Sequence, residues 1–341
     1  MKKICIIGHF AEGKNLLNGQ TVKTKIIADE LMKLNGKQKV ITIDTHGSRT
    51  LLKAPFMCIK ALKEAENIII LPAENGLRVF APLLVLFNCV YGKKLHYIVI
   101  GGWLPTFLQN KKYLFRALKH FTGIYVETNT MKKVLNNGGM DNVYVIPNCK
   151  NIKILEKKEL PLLYEEPYKL CTFSRVMKEK GIEDAVKSVV EINQQYGRVV
   201  YSLDIYGQIE PTQAEWFSEL QKQFPEYVKY LGMVPYNQST DVLKNYFALL
   251  FPTYYEGEGF AGTLIDAMAA GLPTIASNWK YNSEIIKNGK TGMIIEKDLK
   301  ESLCDLMTNV DAWCTMKLAC IDDAFMYLPQ NALKPLIDKL R

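Results

Sequence analysis

Twelve short apolar runs, rich in Ile, Val and Leu, constrain the fold of this chain more than any other feature. Six precede residue 150: 3–8 (KICIIG), 39–44 (KVITID), 67–72 (NIIILP), 95–101 (LHYIVIG), 123–127 (GIYVE) and 143–147 (VYVIP). Six follow residue 168: 169–174 (KLCTFS), 201–207 (YSLDIYG), 228–232 (VKYLG), 248–252 (ALLFP), 273–277 (PTIAS) and 292–296 (GMIIE). Most are continuously apolar rather than alternating, as strands buried on both faces must be, and longer helix-like stretches separate them. This pattern predicts an α/β chain with parallel sheets covered by helices on both sides. Cores stop growing near ~250–300 residues, so the 341 residues call for two.

The charged, irregular stretch between the two series places a boundary near Asn148–Pro161. The expected organisation is a first Rossmann-like domain over 1–150 and a second over 151–328. Pro329 is expected to end or kink the preceding helix. Residues 329–341, with the amphipathic segment Ala332 to Leu340, would then form a separate helix free to pack on the first domain. No internal repeat or low-complexity tract interrupts this scheme.

Apolar residues make up 48% and charged residues 23%, which excludes a disordered chain. The net charge of +8 is unevenly spread: 22 Lys and Arg face 9 Asp and Glu over 1–150, giving +13, against 21 and 26, giving −5, over 151–341. A basic half predicts an anionic partner. Nucleic acid is set aside because no recognition motif or stacking platform accompanies the charge. The eight cysteines are scattered without a Cys-x-x-Cys pair, the pattern of reduced buried thiols rather than zinc or disulfides. The N-terminal run stops at Gly8, too soon for a signal core, and reads as a strand. Val79 to Tyr91 is too short to span a bilayer, which takes ~20 residues. The expected location is cytoplasmic, peripheral at the inner face of the plasma membrane.

The richest stretch runs from Tyr254 to Ser277 (YYEGEGFAGTLIDAMAAGLPTIAS): it leaves a strand, passes through glycines and opens an Ala-rich helix. Open parallel sheets bind ligands beyond the carboxyl ends of their strands, and N–H groups at the helix start near Ala261 and Gly262 suit a phosphate or sugar oxygen. Glu258 and Asp266 beside such a site would repel phosphate and so suit hydroxyl groups, unless this is only a helix cap with a solvated acid. Phe173 to Gly181 (FSRVMKEKG) also joins a strand to a helix, beginning at Ile182, and offers Arg175 and Lys180 to a diphosphate, the first as a fork and the second as a point charge.

Together these residues resemble the family-four retaining glycosyltransferases of the GT-B fold, of the bacterial surface-polysaccharide type. Ser174-Arg175 through Lys180-Gly181 is similar to the family's Gly-Arg-Leu…Lys-Gly element. Ile205-Tyr206-Gly207 and Leu231-Gly232-Met233-Val234 resemble its strand ends. Glu258 through Gly271 resembles its Glu-Gly-Phe-Gly…Glu-Ala-Met-Ala-x-Gly block, Glu284 to Gly292 the segment after it, and Ile146-Pro147-Asn148 the end of its first domain. The resemblance implies two domains facing across a cleft and a nucleotide-sugar donor, UDP- or GDP-linked, with no cofactor and no metal. It implies that Arg175 and Lys180 hold the donor diphosphate and that Glu258 binds donor-sugar hydroxyls. Main chain of Gly259, Phe260, Ala261 and Gly262 would surround sugar and phosphate, Asp266 would meet the ribose, and backbone near Gly207 and Val234 would flank the base. Three positions depart from the pattern: Asp266 stands where the family has Glu, Ala261 and Ser174 where it has Gly.

In the basic half, Asn18-Gly19-Gln20-Thr21 resembles the family's glycine turn, where the Gly19 N–H would approach the donor; a plain helix N-terminus is the alternative. His9 ends the first strand and is either a cleft residue or structural. Ile100-Gly101-Gly102-Trp103 leaves no histidine after the fourth strand. Asn110 to Phe121 interleaves Lys111, Lys112, Arg116 and Lys119 with Leu114, Ala117, Leu118 and Phe121. It reads either as a membrane-surface helix, with Phe107 and Leu108 adding insertion, or as a core-facing helix with a basic back.

The function implied is a retaining hexosyltransferase moving a sugar to a lipid-linked or growing surface-polysaccharide acceptor at an anionic membrane. The alternatives are a non-catalytic GT-B partner subunit of another transferase and a GT-B sugar-nucleotide epimerase. A dinucleotide-dependent oxidoreductase is disfavoured, because Gly8 to Gly13 departs from Gly-x-Gly-x-x-Gly.

Overall fold

A computed structural model describes residues 3–14, 19–47, 50–162, 165–308 and 310–341. The chain divides into two units, Met1–Asn151 with Tyr327–Arg341, and Ile152–Met326.

In the first unit the elements alternate as β1 (Ile4–Gly8), α1 (Gly19–Asn35), β2 (Val40–Asp44), α2 (Thr50–Glu64), β3 (Asn67–Ile70) and α3 (Glu74–Tyr91). Then come β4 (Lys94–Ile98), α4 (Leu104–Leu108), α5 (Lys112–Lys119), β5 (Gly123–Val126), α6 (Asn129–Asn137) and β6 (Val143–Val145). The sheet order is β2-β1-β3-β4-β5-β6. β1 pairs in parallel with β2 and β3, Ile4 opposite Val40 and Asn67. Its five residues are all buried, as their unbroken apolar sequence requires.

The second unit runs β7 (Tyr168–Phe173), α7 (Ile182–Tyr196), β8 (Tyr201–Tyr206), α8 (Ala214–Gln221), β9 (Val228–Gly232), α9 (Ser239–Leu243) and β10 (Ala248–Phe251). It continues with α10 (Gly262–Ala269), β11 (Thr274–Ser277), α11 (Asn282–Ile285), β12 (Gly292–Ile295), α12 (Leu299–Thr308) and α13 (Val310–Ala324). Its sheet is also parallel and six-stranded, in the order β12-β11-β10-β7-β8-β9. All twelve strands coincide with the twelve apolar runs to within a few residues at their ends. The charged stretch after Asn151 is not a free tether. Leu155 and Leu160 are buried against Ile321, and the Leu155 N–H donates to Ala269 O at 2.9 Å.

Pro329 behaves differently from expectation. α13 already ends at Ala324 before a turn of 3-10 helix, and Pro329 instead begins α14 (Pro329–Ala332), followed by α15 (Lys334–Leu340). A proline at the first helical position lacks only an N–H that would have had no helical partner. Leu333, Leu336 and Leu340 are fully buried in the core of the first unit, with Ile4, Ile6 and Ile98. Asn67 Nδ2 donates to Leu340 O at 3.3 Å, fastening the end of the chain to β3.

Candidate functional site

In the second sheet the chain leaves β7 toward β8 and leaves the adjacent β10 toward β11. Where connections diverge in this way, a crevice opens beyond the strands' carboxyl ends. Both constellations singled out in the sequence arrive there: the loop after β7 carries Arg175 and Lys180, and the loop after β10 carries Glu258.

Lys180 Nζ donates to Glu258 Oε2, and both side chains are nearly buried. The ammonium also lies 5.0 Å from the centroid of the Tyr255 ring. Fully buried Thr253 Oγ1 is 3.0 Å from Glu258 Oε2 and 3.2 Å from Glu179 O, so its single proton serves one or the other. The Tyr254 N–H donates to the same Glu179 carbonyl at 2.8 Å. These bonds hold the two loops together, so the Glu258 carboxylate is set by two elements rather than by one mobile turn.

Two glycines make the close approach of the loops possible. Gly181 has φ +69°, and a Cβ there would meet Pro252 O at 2.3 Å. Gly207 has φ +139°, and a Cβ would meet Ser174 O at 1.8 Å. Its N–H donates to Gly232 O at 2.8 Å, joining the ends of β8 and β9. Val234 is half-buried in the loop that follows β9.

Arg175 takes a different course. Its Nη1 donates to Glu210 Oε2 at 2.9 Å, with the arginine side chain 57% exposed. Arg175 and Lys180 thus share one loop but engage different carboxylates. Gly259 and Phe260 are buried, while Ala261 and Gly262 are half-buried where α10 begins. The first N–H groups of that helix have no carbonyl within it to bond. Asp266 is buried inside α10, where its Oδ1 accepts from Ser239 Oγ at 3.1 Å. Glu210, Thr253 and Ser239 were not singled out in the sequence. Glu210 is reached only through the extension of β8 that pairs Ile209 with Val176, and neither Thr253 nor Ser239 belongs to a motif.

The first sheet diverges between β1 and β3. The loop after β1 starts at His9 and leads to Gly19, which opens α1; Asn18 lies outside the described residues. His9 Nδ1 is 2.8 Å from Thr21 Oγ1, and its Nε2 is 3.0 Å from His46 Nδ1. His46 Nε2 in turn is 3.1 Å from Lys14 Nζ. An ammonium only donates, so the chain is polarised from Lys14 through His46 and His9 to Thr21, with each imidazole carrying its proton on Nδ1. Beside it, Asp44 accepts from the N–H groups of Phe10 (2.9 Å), Ala11 (3.2 Å), Glu12 (3.0 Å) and His46 (2.9 Å). Partial burial pushes its carboxyl up, but these donors outweigh burial and hold it below the usual range.

For the basic segment around α5 the structure shows the core-facing arrangement. Leu114 and Leu118 are fully buried, and Phe107, Leu108 and Phe121 nearly so, which leaves none of them for membrane insertion. Lys112, Arg116 and Lys119 form its exposed back. Among the described residues, no cluster of three or more His, Cys, Asp or Glu could hold a metal ion.

Residues 153–310 match the family glycosyl transferases group 1. The matched stretch makes up most of the second unit. The loops after β7 and β10 both lie within the matched stretch. A GtfA subunit of a UDP-N-acetylglucosamine–peptide N-acetylglucosaminyltransferase from Streptococcus agalactiae is 28% identical over 218 residues. That match covers 61% of this chain and 41% of the relative, so the chain spans less than half of that protein. Across the full length, the fold is that of Anabaena HepE, solved with UDP and glucose (TM-score 0.72, 14% identity, 100% of this chain and 99% of that one). Sucrose-phosphate synthase from Thermosynechococcus elongatus is also similar (TM-score 0.75, 14% identity, 100% and 98%). Both sheets together make the GT-B architecture.

Proposed function

We propose that the chain is a metal-independent, retaining hexosyltransferase that moves a sugar from a UDP- or GDP-linked donor to a lipid-linked or growing surface-polysaccharide acceptor. The observation that carries this reading is the meeting of Lys180 and Glu258 at the switch point of the second sheet. A carboxylate there repels an anion unless a cation accompanies it, whereas a carboxylate beside an ammonium can accept from sugar hydroxyls while the ammonium faces phosphate. Lys180 and Arg175 then offset the charge that develops on the leaving nucleoside diphosphate. Asp266 is assigned to the ribose, the backbone near Gly207 and Val234 to the base, and the N–H groups of residues 259–262 to the donor phosphate and sugar. Retention follows if the acceptor attacks from the face the diphosphate leaves, whose oxygen takes the acceptor proton.

The test is a panel of UDP-, GDP- and ADP-sugars scored for nucleotide release, with a membrane-lipid extract as acceptor. Release with one donor, dependent on acceptor and giving a product of unchanged anomeric configuration, is the expected result. Sugar interconversion without acceptor would favour an epimerase. Failure to bind any donor would favour a non-catalytic partner.

A further inference from the structure

The first unit presents an apolar ridge to solvent where a soluble helix layer is normally polar. On α2, Leu52 and Phe56 are 79% and 77% exposed; on α3, Leu86 and Val90 are 64% and 85% exposed. Each pair is spaced i, i+4, so each forms a stripe along its helix. The opposite sides of both helices are already committed to the core through Ala54, Cys58, Phe80 and Leu84. The crossovers β2 to β3 and β3 to β4 run the same way across the sheet, which puts α2 and α3 side by side on one face, where they pack together. The two stripes therefore point outward from one layer.

Charge identifies the occupant. Lys53, Lys60 and Lys63 stand exposed on α2, and the basic back of α5, which packs on α3, continues the same side. Between residues 50 and 140 the sequence has twelve Lys and Arg against four Asp and Glu, and Glu127 is buried against Lys23. Protein interfaces are depleted in lysine and enriched in arginine. An apolar ridge fringed by lysines, whose stems can lie along hydrocarbon while their ammonium groups reach headgroups, instead matches an anionic bilayer surface. No described helix is long and apolar enough to cross a membrane, so the contact would be lateral.

We infer that the α2–α3 face is a monotopic membrane-docking surface: Leu52, Phe56, Leu86 and Val90 enter the headgroup–acyl boundary and the surrounding lysines contact anionic lipid. It deepens the proposed membrane-side transferase by moving the insertion from α5 to α2 and α3. The test is co-sedimentation of the full chain with phosphatidylcholine vesicles, with and without 30 mol% phosphatidylglycerol, alongside sedimentation velocity and donor hydrolysis. The wild-type chain should bind the anionic vesicles at least tenfold more than the neutral ones. Leu52→Ser with Phe56→Ser should cut anionic binding at least tenfold, Lys53→Gln with Lys60→Gln severalfold, and Lys112→Gln with Lys119→Gln less. Both serine positions are already exposed, so unchanged thermal unfolding is expected and separates lost docking from lost fold. Unchanged vesicle binding in the serine variant overturns the assignment, as does a wild-type chain that ignores vesicles or a dimer that the serine variant dissolves. Loss of docking with intact donor hydrolysis supports it. Docking without turnover of any donor would sink the transferase reading and leave the surface standing.

Discussion

The two sheets share one topological device, a divergence of connections between neighbouring strands, yet furnish it with opposite chemistry. In the second unit the crevice holds Lys180 against Glu258 and Arg175 against Glu210. In the first it holds a polarised chain of imidazoles running from Lys14 to Thr21. The fold decides where a ligand can sit; the side chains decide what it can be. Opposed charges suit a ligand that brings both phosphate and hydroxyls, whereas a chain of directed hydrogen bonds orients a neutral group.

The same contrast extends to buried lysines, where the largest stability effects are expected. Lys23 in the first unit is 3% exposed and paired at 2.5 Å with Glu127, itself 3% exposed. Removing one partner of such a pair leaves a buried charge, so Lys23→Met should cost about 3–5 kcal/mol by denaturant unfolding. Lys317 in the second unit is fully buried with its ammonium 4.7 Å from the Trp313 ring centroid, and burial pulls its pKa down to about 7. Between pH 7 and its ordinary value near 10.5, the unfolded state binds a proton that the folded state does not. Stability attributable to this group therefore rises with pH across that window, by at most about 1.4 kcal/mol per pH unit, and is weakest below pH 7. Lys317→Met should flatten that rise and stabilise the chain at pH 7. Equal destabilisation by both substitutions would erase the distinction between the lysines.

For turnover, Lys180→Ala and Glu258→Gln should each lower kcat about 10²–10³-fold, the loss usual for an electrostatic group aimed at developing charge. His9→Ala and His46→Ala should cost tenfold or less. Steady-state rates with the preferred donor check this, and a larger loss from the histidines would move the chemistry to the first unit.

A third comparison concerns glycines. Gly207→Ala drives a Cβ into Ser174 O and should cost about 2–3 kcal/mol. Gly19 has open space around its missing Cβ, so Gly19→Ala should be neutral or gain about 0.4–1 kcal/mol. Thermal unfolding of the two variants suffices. A loss at Gly19 as large as at Gly207 would mean that the helix start in the first unit is packed as tightly as the loop contact in the second.

The fold was legible because continuous apolar runs have few uses other than a doubly covered parallel strand, and each run from 3–8 to 292–296 became one. Lys180 and Glu258 were legible as candidates from their place between a strand and a helix, but their pairing was not, because 78 residues separate them and only the β7–β10 adjacency joins them. Glu210 was invisible for the same reason, since a partner fixed by sheet register leaves no local pattern, and Ser239 meets Asp266 only through the packing of α9 against α10. The sequence left α5 open between membrane and core; the burial of Leu114 and Leu118 decided it. The outward stripes of α2 and α3 were not legible, because an apolar helix reads the same whichever way it faces.

The smallest effect tests the balance within the second crevice itself. The Arg175–Glu210 pair is more than half exposed on the arginine, so it should add between about 0 and 1 kcal/mol to stability. Its consequence lies in competition: a guanidinium bound to Glu210 is one that a diphosphate must share. Glu210→Gln keeps the side chain's size and removes its charge, so unfolding should barely move while the donor KM falls about twofold to fivefold at unchanged kcat. That fall should shrink at high salt, where the competing carboxylate is already screened. A KM that rises instead would show that Glu210 holds Arg175 in place for the donor, and that the second crevice, like the first, depends on a directed chain of contacts.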